Sequence, residues 1–185
     1  MNIAVYSGSF NPLHKGHEAI IRFLTREAGF DCVYLVVTPQ NPFKVSHSLP
    51  AGQDRFDAAV AAVARHPDLK VRLMDIELKM TPPQYTIRTL DALKELEPEH
   101  DFTLVIGADN LASFTGWRYH ERILLEYGVV VFPRKGYHRG HDRARLLREN
   151  PAYRIRLLKA PLVTISSTQI REGLAAGKDM SAWLM

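Results

Sequence analysis

Directly after the apolar run IAVY the chain reads SGSFNPLHKGHEAI, residues 7–20, and this stretch constrains the fold more than any other. Asn2 to Tyr6 alternates and is β-prone, so it reads as a buried first strand. Ser7, Gly8 and Ser9 carry little bulk, which lets the backbone turn tightly and approach a ligand, as in loops that hold phosphates. Pro12 stiffens the turn, and from Gly16 onward Ala19, Ile20, Phe23 and Leu24 recur at helical spacing.

His17 therefore falls in the first turn of a helix. A helix start presents unpaired N–H groups and a partial positive charge, so a strand-to-helix turn is an anion site before any side chain is considered. At a spacing of three, His14 and His17 can face one small volume and add directed donors, which suits a phosphate that gains charge during a reaction. Taken singly, either histidine would serve equally as a surface residue or a cap. Zinc would need further Cys, His or carboxylate ligands nearby, and Glu18 points elsewhere on the helix, so no metal ligand set is read.

Further along, strands are expected at Cys32–Thr38, Val71–Met74, Phe102–Ile106, Gly128–Phe132 and Leu162–Ile165. Helices are expected at Gln53–Arg65, Thr86–Leu96, Tyr119–Leu125, Asp142–Glu149 and from Thr168. Strands alternating with helices predict an α/β fold, a Rossmann-like doubly wound parallel sheet with helices on both faces. At 185 residues with 46% hydrophobic content the chain can bury one core, so a single domain over 1–185 is the expectation. In such sheets ligands lie beyond the carboxyl ends of the strands, which gathers Gly8, Pro39, Gly107 and Ser166 along one cleft.

The single Cys32 sits in an apolar run, which excludes an internal disulfide and points to a reducing, cytoplasmic setting. No stretch approaches 18 consecutive apolar residues. Between Arg134 and Lys159 nine Lys or Arg stand against two acids, a net +7 that leaves −3 for the rest of a chain of net charge +4. Such a block can attract RNA, yet its aromatics are only Tyr137 and Tyr153, with no stacking pattern, so a solvated basic face is the expectation. His138 and His141 are read as part of an exposed loop.

The run GSFNPLHKGH resembles the GxFxPxHxGH element of the nucleotidyltransferase superfamily that shares its histidine pair with class I aminoacyl-tRNA synthetases, and ISSTQIR, residues 165–171, resembles that superfamily's ISSTxxR element. Three further runs, TPQNPFK (38–44), PQYTIRTL (83–90) and IGADNLASFTGW (106–117), are similar to those of bacterial nicotinate-nucleotide adenylyltransferases. Pantetheine-phosphate adenylyltransferases and cytidylyltransferases share the first two elements, but the YT and GxDN…W runs speak against them. An inactive nucleotide-sensing or RNA-binding module is opposed by the intact histidines and Arg171.

The resemblance implies transfer of AMP from ATP to nicotinate mononucleotide, releasing pyrophosphate, with Mg²⁺ bound through the ATP phosphates. It implies that His14, His17 and Arg171 are catalytic, that Gly8, Ser9 and Phe10 shape the phosphate cradle, that Gly107 and Asp109 meet the adenosine, and that Ser167 and Thr168 hold polyphosphate. On the acceptor side it implies Trp117 as a stacking platform, Tyr85 and Thr86 as donors to the pyridine carboxylate, and Lys44, Arg55, Arg118 and Arg134 for the acceptor phosphate. The expected partners are these two nucleotides, with no nucleic acid and no membrane, and with a homo-oligomer left open. Ser7, Asn11 and Gln84 depart from the commoner family residues Gly, Asp and Ser.

Overall fold

The computed structural model describes residues 1–39 and 51–185. Six strands form one sheet: β1 (Asn2–Gly8), β2 (Cys32–Val37), β3 (Val71–Met74), β4 (Asp101–Gly107), β5 (Val129–Phe132) and β6 (Ile155–Leu157). They lie in the order β3-β2-β1-β4-β5-β6, and every ladder is parallel. This is the dinucleotide-fold order, in which connections run one way from β1 to β3 and the other way from β4 outward. The reversal leaves a crevice at the carboxyl ends of β1 and β4, where Gly8 and Gly107 end their strands.

Alternation along the strands builds two cores. Ile3 and Val5 face α3 (Thr86–Leu96), α4 (Ala108–Ala112) and α6 (Arg139–Glu149) through Ile87, Leu90, Leu93, Leu111 and Leu146. Ala4 and Tyr6 face α1 (Lys15–Arg26) and α2 (Gly52–Ala64) through Ile20, Ile21, Leu24, Ala59 and Ala62. With both faces covered, β1, β2, β4 and β5 are almost wholly buried, as the central strands of a parallel sheet must be. No helix among the described residues is long and apolar enough to cross a membrane.

Two expected elements differ, and of the expected His138–His141 loop only His138 precedes α6, which begins at Arg139 and includes His141. The run Leu162–Ile165 is extended but pairs with no strand, and Leu162 is 47% exposed. The sixth ladder is made instead by Ile155–Leu157, where Ile155 and Leu157 sit opposite Val129 and Val131. Arg154 and Arg156 flank Ile155, so this short edge strand reads in sequence as part of the basic block. The helix expected over Tyr119–Leu125 is one α turn, α5 (His120–Arg122), that widens into a π turn over Ile123–Tyr127. The helix expected from Thr168 is α7 (Ser167–Ala175).

Candidate active site

His14 is the N-cap of α1, and the two histidines cap the helix reciprocally. The Gly16 N–H donates to His14 Nδ1 at 3.0 Å, and the His14 N–H donates to His17 Nδ1 at 3.1 Å. With each Nδ1 accepting from the main chain, the ring proton belongs on Nε2, leaving an Nε2–H as the remaining donor of each imidazole. The rings stack with centroids 3.7 Å apart at 28°, an arrangement that two cations would oppose. Burial, then the Arg134 charge, lowers the His14 pKa to about 4. His17 is pushed well below its ordinary value by burial, by His14 and by Arg134. Both are neutral donors at pH 7.

Gly16 makes this stack possible, since a Cβ there would lie 2.4 Å from Val163 and 2.8 Å from the His14 ring. Glu18, as expected from its helical phase, turns away, to Arg22 at 3.1 Å and His66 at 3.3 Å. Phe10 is buried with φ +46, and its ring meets His17 edge-on at 5.1 Å.

The ISSTQIR run seats α7 against the same loop. Ser166 is its N-cap, in a reciprocal capping box with Gln169. Ser167 Oγ donates to the Pro12 carbonyl at 2.9 Å; Arg171 donates from Nη1 to the Asn11 carbonyl at 2.6 Å and from Nη2 to Thr168 Oγ1 at 3.2 Å. Ser167 thus brings the start of α7 to the two histidines, and a cavity of about 160 Å³ is lined by His14, His17, Ser166, Ser167 and Arg134. A second, of about 190 Å³, is lined by Gly8, Ser9, Phe10, His17, Gly107 and Arg134.

Beyond these lies a third cavity of about 410 Å³, lined by Asp109, Arg134, Lys135 and Tyr137. Arg134 lines all three, its guanidinium 5.0 Å over the Phe132 ring and its Nε 3.6 Å from Asp109 Oδ1. Neither of those two atoms has a hydrogen-bond partner among the described residues. Gly107 leaves room for them, since a Cβ there would lie 2.5 Å from Asp109 Oδ1 and 3.2 Å from Arg134 Nε. Arg134, expected with the acceptor phosphate, thus stands beside the histidines. Tyr6 and Phe132 also line both of the smaller cavities and were not expected there; their signal was position alone, at or near the carboxyl ends of β1 and β5.

The remaining expected residues divide. Tyr85 is the N-cap of α3 and Thr86 its first residue. Arg118 lies 5.8 Å over the Tyr85 ring and 5.4 Å over that of Tyr119, which joins the α3 start to the segment carrying Trp117. Trp117 packs on Phe114 at 4.8 Å and is only partly buried. Arg55 differs: it is 2% exposed, donates from Nη1 to the Ser9 carbonyl at 2.9 Å and lines a separate cavity behind the loop. Lys44 lies outside the described residues.

A neutral histidine pair at the start of the first helix faces a second helix start at the switch point of a parallel sheet, the place where ligands of such folds bind. The cytidylyltransferase-like family model matches residues 5–173. The probable nicotinate-nucleotide adenylyltransferase of Cytophaga hutchinsonii is 43% identical over 171 residues, covering 92% of this chain and 84% of its own. That of Bacteroides fragilis is 39% identical over 180 residues, covering 97% and 85%. The chain belongs to the cytidylyltransferase-like nucleotidyltransferases and, within them, to the nicotinate-nucleotide adenylyltransferase family. The fold is shared with the Plasmodium falciparum nicotinic acid mononucleotide adenylyltransferase complexed with NaAD, at TM-score 0.75 and 21% identity over 97% of this chain and 87% of that one.

Proposed function

We propose that the chain transfers the adenylyl group of ATP to nicotinate mononucleotide, releasing pyrophosphate and forming nicotinate adenine dinucleotide. The observation that carries the site assignment is the capped pair: two imidazoles kept neutral chiefly by burial and fixed at Nδ1 by main-chain N–H groups, on a cavity that also meets the start of α7. The acceptor's phosphate oxygen attacks the α-phosphorus in line, and the bond to the bridging oxygen of pyrophosphate breaks. The nucleophile is already ionised, so no base is needed and catalysis is positioning plus stabilisation of charge. His14 and His17 donate to the α and β phosphates; the first N–H groups of α7 and Arg171 hold the polyphosphate; Asp109 accepts from the ribose hydroxyls.

Mg²⁺ bound through the triphosphate would offset part of its charge. No carboxylate lines either cavity at His17 among the described residues, so the cation's ligands would be phosphate oxygens and water. On the acceptor side, Trp117 stacks on the pyridine ring, the Tyr85–Thr86 helix start meets its carboxylate, and Arg118, with Lys44, serves the acceptor phosphate. We assign Arg55 to supporting the Ser9 turn.

A carboxylate and an amide are nearly isosteric, so discrimination must come from donors that satisfy the anion and leave an amide N–H₂ facing another N–H. Pyrophosphate release should be measured with ATP and a panel of nicotinate mononucleotide, nicotinamide mononucleotide and phosphopantetheine. Nicotinate mononucleotide should be preferred over its amide by on the order of 10² in kcat/KM, since one charge-assisted bond and one repulsive contact are at stake. Equal efficiency for the two would overturn the donor arrangement, and turnover of phosphopantetheine alone would overturn the substrate.

A further inference from the structure

A cavity of about 480 Å³ opens at the other end of the sheet, where β1, β4, β5 and β6 begin, and the reaction proposed above makes no use of it. Its volume falls in the range of small-ligand pockets, about 300–1,000 Å³. Three arginines, Arg143, Arg154 and Arg156, line it, and no Asp or Glu does. Among the described residues none of the three has a carboxylate oxygen within 4.0 Å. This sets them apart from Arg22 and Arg122, which are paired with acids at 2.5 and 2.6 Å.

Each guanidinium is instead anchored to the main chain. Arg143 Nε donates to the Ile155 carbonyl at 2.8 Å, Arg156 Nη1 to the Ala28 carbonyl at 2.8 Å, and Arg154 Nη2 to the Leu125 carbonyl at 3.1 Å. One bond apiece restrains the fork and leaves further N–H groups of each unused. Gly128, at φ +80, completes the arrangement: a Cβ there would lie 3.0 Å from Arg154 Cβ, so only glycine lets the start of β5 approach this arginine. The result is one cavity lined by three arginines, each restrained by a main-chain carbonyl, with no carboxylate in its lining.

We propose that this cleft binds an oligophosphate, either free pyrophosphate or tripolyphosphate or the phosphate chain of a nucleotide. Planar guanidiniums match phosphate oxygens in forked pairs, and three of them suit a chain of phosphates better than a single one. Nucleic acid fits less well. Strand binding without sequence preference needs aromatic platforms for successive bases, and of the three aromatics lining the cleft Phe30 and Tyr153 are buried while the Tyr127 hydroxyl donates to Asp91 at 2.6 Å.

Calorimetry on the intact protein tests this with tripolyphosphate, ATP and a 12-nucleotide oligouridylate as probes. The wild type should bind two tripolyphosphates per chain, one of them at the histidine cleft. Arg154→Gln with Arg156→Gln should weaken only the second by about tenfold or more while kcat for pyrophosphate release stays unchanged. Arg171→Lys should leave that second site intact. Arg143→Gln provides an independent variant should the double substitution disturb β6. Tighter binding of ATP than of tripolyphosphate at the second site identifies a nucleotide as the source, and equal binding identifies the phosphate chain alone. A single equivalent in the wild type, unchanged second-site affinity in folded variants, or displacement of tripolyphosphate by a lower concentration of oligouridylate would each overturn the proposal.

Discussion

Around His14 and His17 the polar side chains are tied to main chain, whereas around Tyr85 and Arg118 the residues rest on one another's faces. His14, His17, Ser167 and Arg171 each bond a backbone N–H or carbonyl of the loop that bears them or of the facing one. Arg118 instead spans two tyrosines, Tyr85 at 40% and Tyr119 at 53% exposure, through cation–π contacts. A main-chain hydrogen bond sets an atom's position to a few tenths of an ångström; a stacked guanidinium can slide. On the proposed function, the histidine region thus suits transition-state geometry and the Tyr85–Arg118 region adaptable recognition of the acceptor.

The comparison breaks first at His17. In the proposed mechanism His17→Ala removes a donor to the phosphate where charge develops, and it should lower kcat by about 10² to 10⁴, with circular dichroism unchanged. A folded variant with near-normal pyrophosphate release would place the chemistry elsewhere. Gly16→Ala should come close behind, roughly 10² in kcat, because its methyl must displace Val163 or the His14 ring. Recovery in Gly16→Ala with Val163→Ala, which clears the nearest clash, would sharpen the point.

Arg171→Lys comes next. Lysine cannot hold the Asn11 carbonyl and Thr168 Oγ1 as the two guanidinium nitrogens do. A loss of about tenfold in kcat/KM for ATP, with the acceptor KM unmoved, is expected; equal losses for both substrates would mean that α7 has come away from the loop. Trp117→Ala should raise the KM of both mononucleotides by about tenfold, since stacking is blind to the substituent's charge, and leave kcat nearly intact. An effect confined to ATP would overturn the acceptor-side assignment of Trp117.

The smallest effect is on pH. Both histidines have pKa values below that of an unfolded histidine, about 6.5. As pH falls through 6.5 the unfolded chain takes up protons that the folded chain refuses, so their contribution to stability is complete above 6.5 and declines toward the folded value, about 4 for His14. The slope is at most about 1.4 kcal/mol per pH unit for each ring. Urea midpoints should therefore fall between pH 6.5 and 4, less steeply in a folded His14→Gln variant. Long-range ¹H–¹⁵N spectra at pH 6 should show both rings as the neutral Nε2–H form; imidazolium signals there would contradict the capping geometry.

Much of this was legible in the chain itself. The β1 turn, the first helix, the ISSTQIR helix start and the alternating α/β order all depend on contacts within a few residues, or on periodicities of 2 and 3.6, which a linear sequence displays. The histidine spacing of three is local too, so the volume the two rings share follows from the chain's own order. Leu162–Ile165 misled because its composition is strand-like while pairing is a non-local matter: the register opposite Val129 and Val131 was already taken by Ile155 and Leu157.

The tertiary structure alone decided three things. Gly8 and Gly107 were expected along one cleft as strand ends, but only the strand order made β1 and β4 immediate neighbours. The length of β5 put Arg134 with the histidines and Asp109, and packing behind the loop withdrew Arg55 to the Ser9 carbonyl. Residues 134 and 55 read alike in sequence, each a basic side chain near a strand end or helix start, and their difference is one of burial and partner. Local geometry follows from the residues themselves; which charges meet across the sheet depends on loop closures and packing that no short stretch encodes.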